Sequence, residues 1–327
     1  MARIVDFVEA VAPEDDWWAY VVDPNGAPIT NVDRKISWEN VKERLGASIH
    51  EFSTDITISD QYEGMQRMYV NTDSVYHTIS FGSNLVVVPA DDFVKLIYVN
   101  SEWHYYQPPL KSNLTIDVGS GMSDDEWQDV IDGISRVSSN SSITFSISAD
   151  RILTRDIIIK NFPYAVVLKT DTPGDLVYGT SKTRNISGGV SKYNILFSAC
   201  VAFSVKGLGI SNQSNLTGNL DIVLDFQRSF GDVAFCVLKG TSSGGPYGKI
   251  RNYLGTLYFN DCHVSDFYRG IDSFGGETHI DNSTTFSGNT YDVYANSGLI
   301  TVGSALSSLN VGRLYGGNVC GTDGWDI

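Results

Sequence analysis

The stretch Leu257–Val302, LYFNDCHVSDFYRGIDSFGGETHIDNSTTFSGNTYDVYANSGLITV, decides how this chain is read. Three strand-like runs, Leu257-Tyr258-Phe259, His279-Ile280-Asp281 and Leu299-Ile300-Thr301-Val302, recur within it at roughly 20 to 23 residues, the scale of one unit in a stacked-repeat protein. Gly, Asn, Ser or Asp fills nearly every gap between runs, and these are the residues that turns require. A unit of this length is too small to bury a core by itself, whereas stacking neighbours buries a continuous apolar column. The pattern predicts a parallel β-helix. Because the repeat is imperfect, an antiparallel β-sandwich remains the alternative.

Working towards the N-terminus, the same texture continues. Runs at Ile143–Ile147, Asp156–Ile159, Ala165–Leu168, Tyr193–Phe197, Val201–Val205 and Asp221–Asp225 read as short strands. Val201 to Ile222 fits the period, but Ile222 to Leu257 is longer. That interval holds an added strand near Val233-Ala234-Phe235 and the run Thr241-Ser242-Ser243-Gly244-Gly245-Pro246, which reads as an insertion loop. Cys200, Cys236 and Cys262 suit a dry interior as free thiols, since none of the four cysteines has the CxxC spacing of a zinc or redox site. The region opens with a strand at Leu114–Val118 and then Ser123-Asp124-Asp125-Glu126, a capping box. Trp127, Val130, Ile131, Ile134 and Val137 follow on one helical face. Favourable charge at the helix N-terminus accounts for Asp124 and Asp125 without a metal.

Two further regions precede this one. From 51 to 109, strand-like runs at Tyr69-Val70, Tyr76–Ile79, Leu85–Val88 and Phe93–Val99 fit a small β-sandwich or barrel serving as a spacer. Trp103-His104-Tyr105-Tyr106 reads as its terminal strand with aromatics alternating between core and partner, and Pro108-Pro109 as a stiff boundary. From 1 to 50, Pro24-Asn25-Gly26 marks a hairpin, and Ser37 caps a short helix with Trp38, Val41 and Leu45 on one face. This piece is too small for a core of its own and needs a partner chain.

The order Arg3-Ile4-Val5-Asp6-Phe7, Asp15-Asp16, Tyr20-Val21-Val22, Arg34-Lys35-Ile36-Ser37 and Val41 resembles the N-terminal segment of phage tail-fibre proteins. The capped helix entering strands, from Asp117 to Leu168, and the later Gly270-Ile271-Asp272 and Gly276–Asp281 are similar to the right-handed β-helix of tailspikes and pectate-lyase-like proteins. These resemblances imply a homotrimer in the virion tail, assembled in the host bacterial cytoplasm. They further imply that residues 1–50 attach to a tail or baseplate protein through Ile4, Phe7, Trp17, Trp18 and Trp38, and that residues 110–327 bind a host surface glycan.

For glycan contact the candidates are Tyr247, Tyr268, Tyr315 and Trp325, with loops and the distal Leu314–Ile327 favoured. Cleavage would need two carboxyl groups roughly 5 to 9.5 Å apart, a distance that strands stacked about 4.8 Å apart can supply. Asp261, Asp266, Asp272, Glu277 and Asp281 are the candidate catalytic acids. Asp is also a common turn residue, so the acids alone do not indicate an enzyme. A polysaccharide depolymerase and a purely structural baseplate protein stay open as alternatives. No GxxxxGK[ST], HExxH or GxSxG motif occurs, so no cofactor or metal is expected. His263 and His279 read as satisfied or exposed side chains rather than ligands. A net charge of −15 argues against nucleic acid, and no window is apolar enough for membrane insertion.

Overall fold

The computed structural model describes residues 47–59, 64–107, 113–134, 141–188, 193–211, 222–240, 249–306 and 308–321. The expected attachment segment, with Ile4, Phe7, Trp17, Trp18 and Trp38, lies outside the described residues, as do Tyr247, Trp325, Val137 and the Thr241–Pro246 run. The described residues are mainly β and fall into two compact units that change over between Gln107 and Pro108, with Asn84–Val87 grouped with the second.

The strands before Pro108 are β1 (Ala47–Phe52), β2 (Ile56–Ile58), β3 (Gln66–Asn71), β4 (His77–Phe81), β5 (Asn84–Val88), β6 (Phe93–Val99) and β7 (Glu102–Tyr106). They form a four-stranded sheet β1-β3-β6-β7 and a three-stranded sheet β2-β4-β5. Ile79, Phe81, Val94 and Leu96 are fully buried. In β7 exposure alternates, with Trp103 and Tyr105 half-buried and His104 and Tyr106 exposed, as the pleat of an edge strand dictates.

The second unit opens with β8 (Leu114–Val118) and α1 (Asp124–Ile134). Ser123 and Glu126 close the capping box: the Ser123 N–H donates to Glu126 Oε2 at 2.7 Å, and the Glu126 N–H to Ser123 Oγ at 3.2 Å. Trp127, Val130, Ile131 and Ile134 are buried. Strands then arrive in threes. They are β9 (Ile143–Ile147), β10 (Arg151–Ile152) and β11 (Ile157–Lys160); β12 (Ala165–Thr170), β13 (Asn185–Ser187) and β14 (Tyr193–Ser198); and β15 (Ala202–Lys206), β16 (Gly209–Ser211) and β17 (Ile222–Gln227). The pattern continues with β18 (Phe230–Ala234), β19 (Val237–Lys239) and β20 (Lys249–Tyr253); β21 (Thr256–Asn260), β22 (His263–Ser265) and β23 (Arg269–Phe274); and β24 (Glu277–Ile280), β25 (Thr285–Ser287) and β26 (Tyr291–Asn296). β27 (Leu299–Val302), β28 (Val311–Leu314) and β29 (Asn318–Gly321) complete it.

Between β9 and β27 each sheet takes every third strand. The orders are β10-β13-β16-β19-β22-β25, then β11-β14-β17-β20-β23-β26-β28, and a nine-stranded β29-β27-β24-β21-β18-β15-β12-β9-β8. The pairings within these sheets are parallel, which overturns the antiparallel sandwich. In the nine-stranded sheet Phe145, Leu168, Val205, Val233, Phe259 and Ile280 are register partners on successive strands, all essentially without exposure. Phe203 of this sheet stacks with Phe197 and Phe226 of the seven-stranded sheet at centroid distances of 4.7 to 5.4 Å. Cys200, Cys236 and Cys262 are buried free thiols, and burial pushes the Cys200 thiol up to about 11.

The register corrects the sequence reading in one respect. Val201 and Ile222 do not belong to one repeat step: Ile222 pairs with Tyr193, and Phe203 with Gly231. The run near Val233 is no addition either, because β18 is a regular member of the nine-stranded sheet.

The strand edge at the α1 end is closed by side chains. Gln128 faces β11, the edge of its sheet, donating from Nε2 to the Ile158 carbonyl at 2.9 Å and accepting the Ile158 N–H at 2.8 Å. The amide thus takes the place of a neighbouring strand, a guard against edge pairing. Asp124 serves more than the helix dipole. It accepts from Arg151 Nη2 at 2.7 Å and from the Thr154 N–H at 2.6 Å, with Asp124 and Arg151 both buried. Burial by itself would raise the Asp124 carboxyl, but the Thr154 N–H and the Arg151 guanidinium outweigh it and hold the group below its ordinary range.

Candidate functional site

The corner leading from the seven-stranded sheet into the nine-stranded sheet is built the same way in successive repeats. Ala199, Arg228, Leu254, Gly275, Ser297 and Tyr315 all have positive φ, between 49° and 67°. At each of the first five, the N–H donates to the carbonyl ending the next repeat's strand, as from Arg228 to Tyr253 at 2.8 Å and from Leu254 to Phe274 at 3.0 Å. The residue after the left-handed one turns inward and must be small: Cys200, Ser229, Gly255, Gly276 and Gly298. A Cβ on Gly255 would stand 2.3 Å from the Ser229 carbonyl oxygen, and one on Gly276 2.5 Å from that of Gly255.

Side chains flanking this tight corner therefore point out, and several are apolar. Val201 is 64% exposed, Phe230 52%, Leu254 45% and Phe274 36%. Single exposed apolar residues are ordinary, but these come from consecutive repeats on one edge and adjoin one another, which marks an interaction surface. Val201, Phe230 and Leu254 border a groove of about 440 Å³ that also includes Arg228, Thr256 and Glu277. With no side chain at Gly275 or Gly276, the ridge dips between Leu254 and Glu277. On the seven-stranded sheet Tyr253 stacks on Phe274 at 5.2 Å. On the nine-stranded face Phe230 meets Tyr258 edge-on at 6.0 Å, and Tyr258 stacks on its register partner His279 at 4.8 Å. The result is a set of aromatic faces with charged and hydroxyl groups between them, chemistry that suits a ligand with apolar ring faces and polar rims.

The candidate acids are distributed among different tasks. Asp272 is 2% exposed and held by Arg269 Nη1 at 3.1 Å and Lys249 Nζ at 3.4 Å. Asp261 and Asp266 occupy left-handed corner positions with φ of 53° and 61°, a conformation Asp tolerates better than most residues. Asp281 accepts the Asp261 N–H at 3.3 Å and also binds Ser283 and Thr284, closing its own turn. Glu277 alone of the five lines the groove, with its carboxylate 3.9 Å from His279 Nε2. The structure thus brings Asp261 to Asp281 and leaves Glu277 on its own at the corner. Asp225, which is not among the candidate acids, is fully buried and bound by Arg251 at 2.7 and 2.6 Å.

Of the two described candidates for glycan contact, Tyr268 is half-buried, edge-on to Tyr291 at 5.7 Å with the Arg269 guanidinium 5.8 Å over its ring. Tyr315 is 77% exposed at the last left-handed corner. Sequence reasoning missed Phe230, Leu254 and Phe274. The available signal was the glycine recurring behind the corner, at 255, 276 and 298. No protein-family model, curated protein or solved structure matches this chain.

Proposed function

We propose that this chain is the subunit of a phage tail fibre or tailspike that binds a host surface polysaccharide through the corner groove. On this reading residues 110–327 form a right-handed parallel β-helix, three copies associate, and residues 1–50 join the virion tail. The every-third-strand order of the parallel sheets supports the β-helix, because a chain that returns to the same sheet after three strands winds as a solenoid. Attachment and trimerisation rest on the sequence resemblance alone.

The observation that carries the binding role is the groove itself, with Val201, Phe230 and Leu254 exposed across successive repeats and polar groups between them. Repeats about 4.8 Å apart match the advance of a sugar chain, so one polymer can meet several equivalent corners. Binding is favoured over cleavage because Glu277 is the single carboxylate among the described groove residues, and a glycosidase needs two.

The test is binding of the purified chain and of Phe230→Ala to an array of bacterial surface polysaccharides. An exposed anchor of this kind is expected to contribute about 2 kcal/mol, or roughly thirtyfold in affinity. Equal binding by both proteins to the same glycan contradicts the groove assignment, and no binding to any host polysaccharide contradicts the receptor role.

A further inference from the structure

At a different corner, where the six-stranded sheet leads into the seven-stranded one, hydroxyls and an imidazole gather on the outer face. His263 on β22 and Thr285 on β25 are register partners, and His263 Nδ1 lies 2.8 Å from Thr285 Oγ1. The other ring nitrogen, Nε2, is 3.4 Å from Ser287 Oγ. Thr285 Oγ1 is itself held at 3.0 Å by the hydroxyl of Tyr178, which reaches across from the segment before β13. Thr285 thus pins the imidazole from one side and leaves Nε2 facing an exposed serine.

The backbone beside that serine is unusual within the fold. Gly288 has φ +67°. In earlier repeats the N–H at the same corner donates to the next strand of the sheet, as from Gly188 to Ser211, Gly240 to Ser265 and Asp266 to Ser287. β25 is the last strand of this sheet, so Gly288 has no such neighbour. Among the described residues its N–H has no partner.

We propose that Ser287 and His263 form a nucleophile–base pair for acyl transfer from small O-acyl esters, with the Gly288 N–H donating to the developing oxyanion. The roles follow from where the protons can go. With its proton on Nδ1, donated to Thr285, His263 presents an unprotonated Nε2 to Ser287. As Ser287 Oγ bonds to the acyl carbon, its proton passes to Nε2. When the C–O bond to the alcohol breaks, Nε2 returns that proton to the leaving oxygen. Water then attacks the acyl-serine by the same route, giving the carboxylic acid and free Ser287. The N–H of the residue after a nucleophilic serine is a recurrent oxyanion donor.

Burial lowers the His263 pKa below its ordinary value, opposed by the charge of Asp266, so the ring is a neutral base at pH 7. Asp266 favours the imidazolium formed during transfer. The 3.4 Å separation is one that closes when substrate arrives. Ser287 and Gly288 both lie exposed. An exposed site offers little surface to hold a long acyl chain, so short esters such as acetyl esters on sugar hydroxyls are the substrate class of this proposal.

The experiment is hydrolysis of p-nitrophenyl acetate by the full chain, with Ser287→Ala and His263→Gln, alongside labelling by diisopropyl fluorophosphate and peptide mass mapping. The expected result is one label on Ser287 and a loss of at least ~100-fold in rate in each variant, with melting temperatures unchanged. The wild-type rate should fall on the acid side as His263 is protonated, below pH 6.5. Hydrolysis that survives in Ser287→Ala, hydrolysis absent from the wild type, or a label on another residue overturns the proposal.

Discussion

Replacing Arg251 with Met should loosen the strands around it far more than removing the whole ion pair. Asp225 on β17 is fully buried and takes Arg251 Nε at 2.7 Å and Nη2 at 2.6 Å, with Gln227 Nε2 at 2.7 Å on the second oxygen. The two residues are direct register partners, so the bidentate pair ties β17 to β20 across the outer face of the sheet. Arg251→Met leaves a buried carboxylate without its counter-charge, a change that costs about 3–5 kcal/mol. The double variant Asp225→Leu/Arg251→Met removes both charges and fills the space with apolar volume, which in buried pairs is often near neutral. A stacked-repeat array need not unfold in one step, so a local readout is required. Amide hydrogen exchange of the β17 and β20 peptides supplies it. The single variant should exchange roughly 10²- to 10⁴-fold faster there, from 3–5 kcal/mol at 1.36 kcal/mol per tenfold, and the double variant should recover most of the protection. Unchanged exchange in Arg251→Met, or a double variant as fast as the single one, would refute the claim that the pair is desolvated and interdependent.

Three other outcomes are expected. Gly255→Ala places a Cβ 2.3 Å from the Ser229 carbonyl oxygen, so the corner must shift. Overpacking of this kind costs about 1–3 kcal/mol, read as a lower melting temperature, and an unchanged melt would mean that the corner is not tight. The lowered pKa of Asp124 makes its contribution fully present above the unfolded carboxyl value and lost as pH falls through the folded one; Asp124→Asn should flatten that acid limb in pH-dependent melts. In native protein, Ellman's reagent should modify half-buried Cys320 first, while Cys200, Cys236 and Cys262 react only on denaturation. Four thiols reacting at one rate would contradict the buried column.

What the sequence disclosed was what local chemistry encodes. Ser123 and Glu126 announced the helix because a capping box is written within four residues. Strands such as β9, with alternating Ile143, Phe145 and Ile147 buried, were legible from period two. Pairing was harder to read because the chain returns to a sheet only after three strands, one of them very short. β10 has two residues and β13 three, too few for a visible pattern. The interval between partners also varies with what the corners carry: Phe203 pairs with Gly231, and Leu257 with Thr278. A spacing such as Val201 to Ile222 can therefore match the period while joining two different sheets. The groove was invisible for the same reason. Val201, Phe230, Leu254 and Glu277 become neighbours only once the register is known. Asp261, Asp266 and Asp281 show the opposite case, since residues picked for chemistry turn out to hold corners.

The most direct test of the fibre account is the molar mass of the purified chain in solution, measured by light scattering coupled to gel filtration. The account predicts a single species at three times the 35.9 kDa chain mass, retained when residues 1–109 are removed. A monomer in both forms would contradict the fibre.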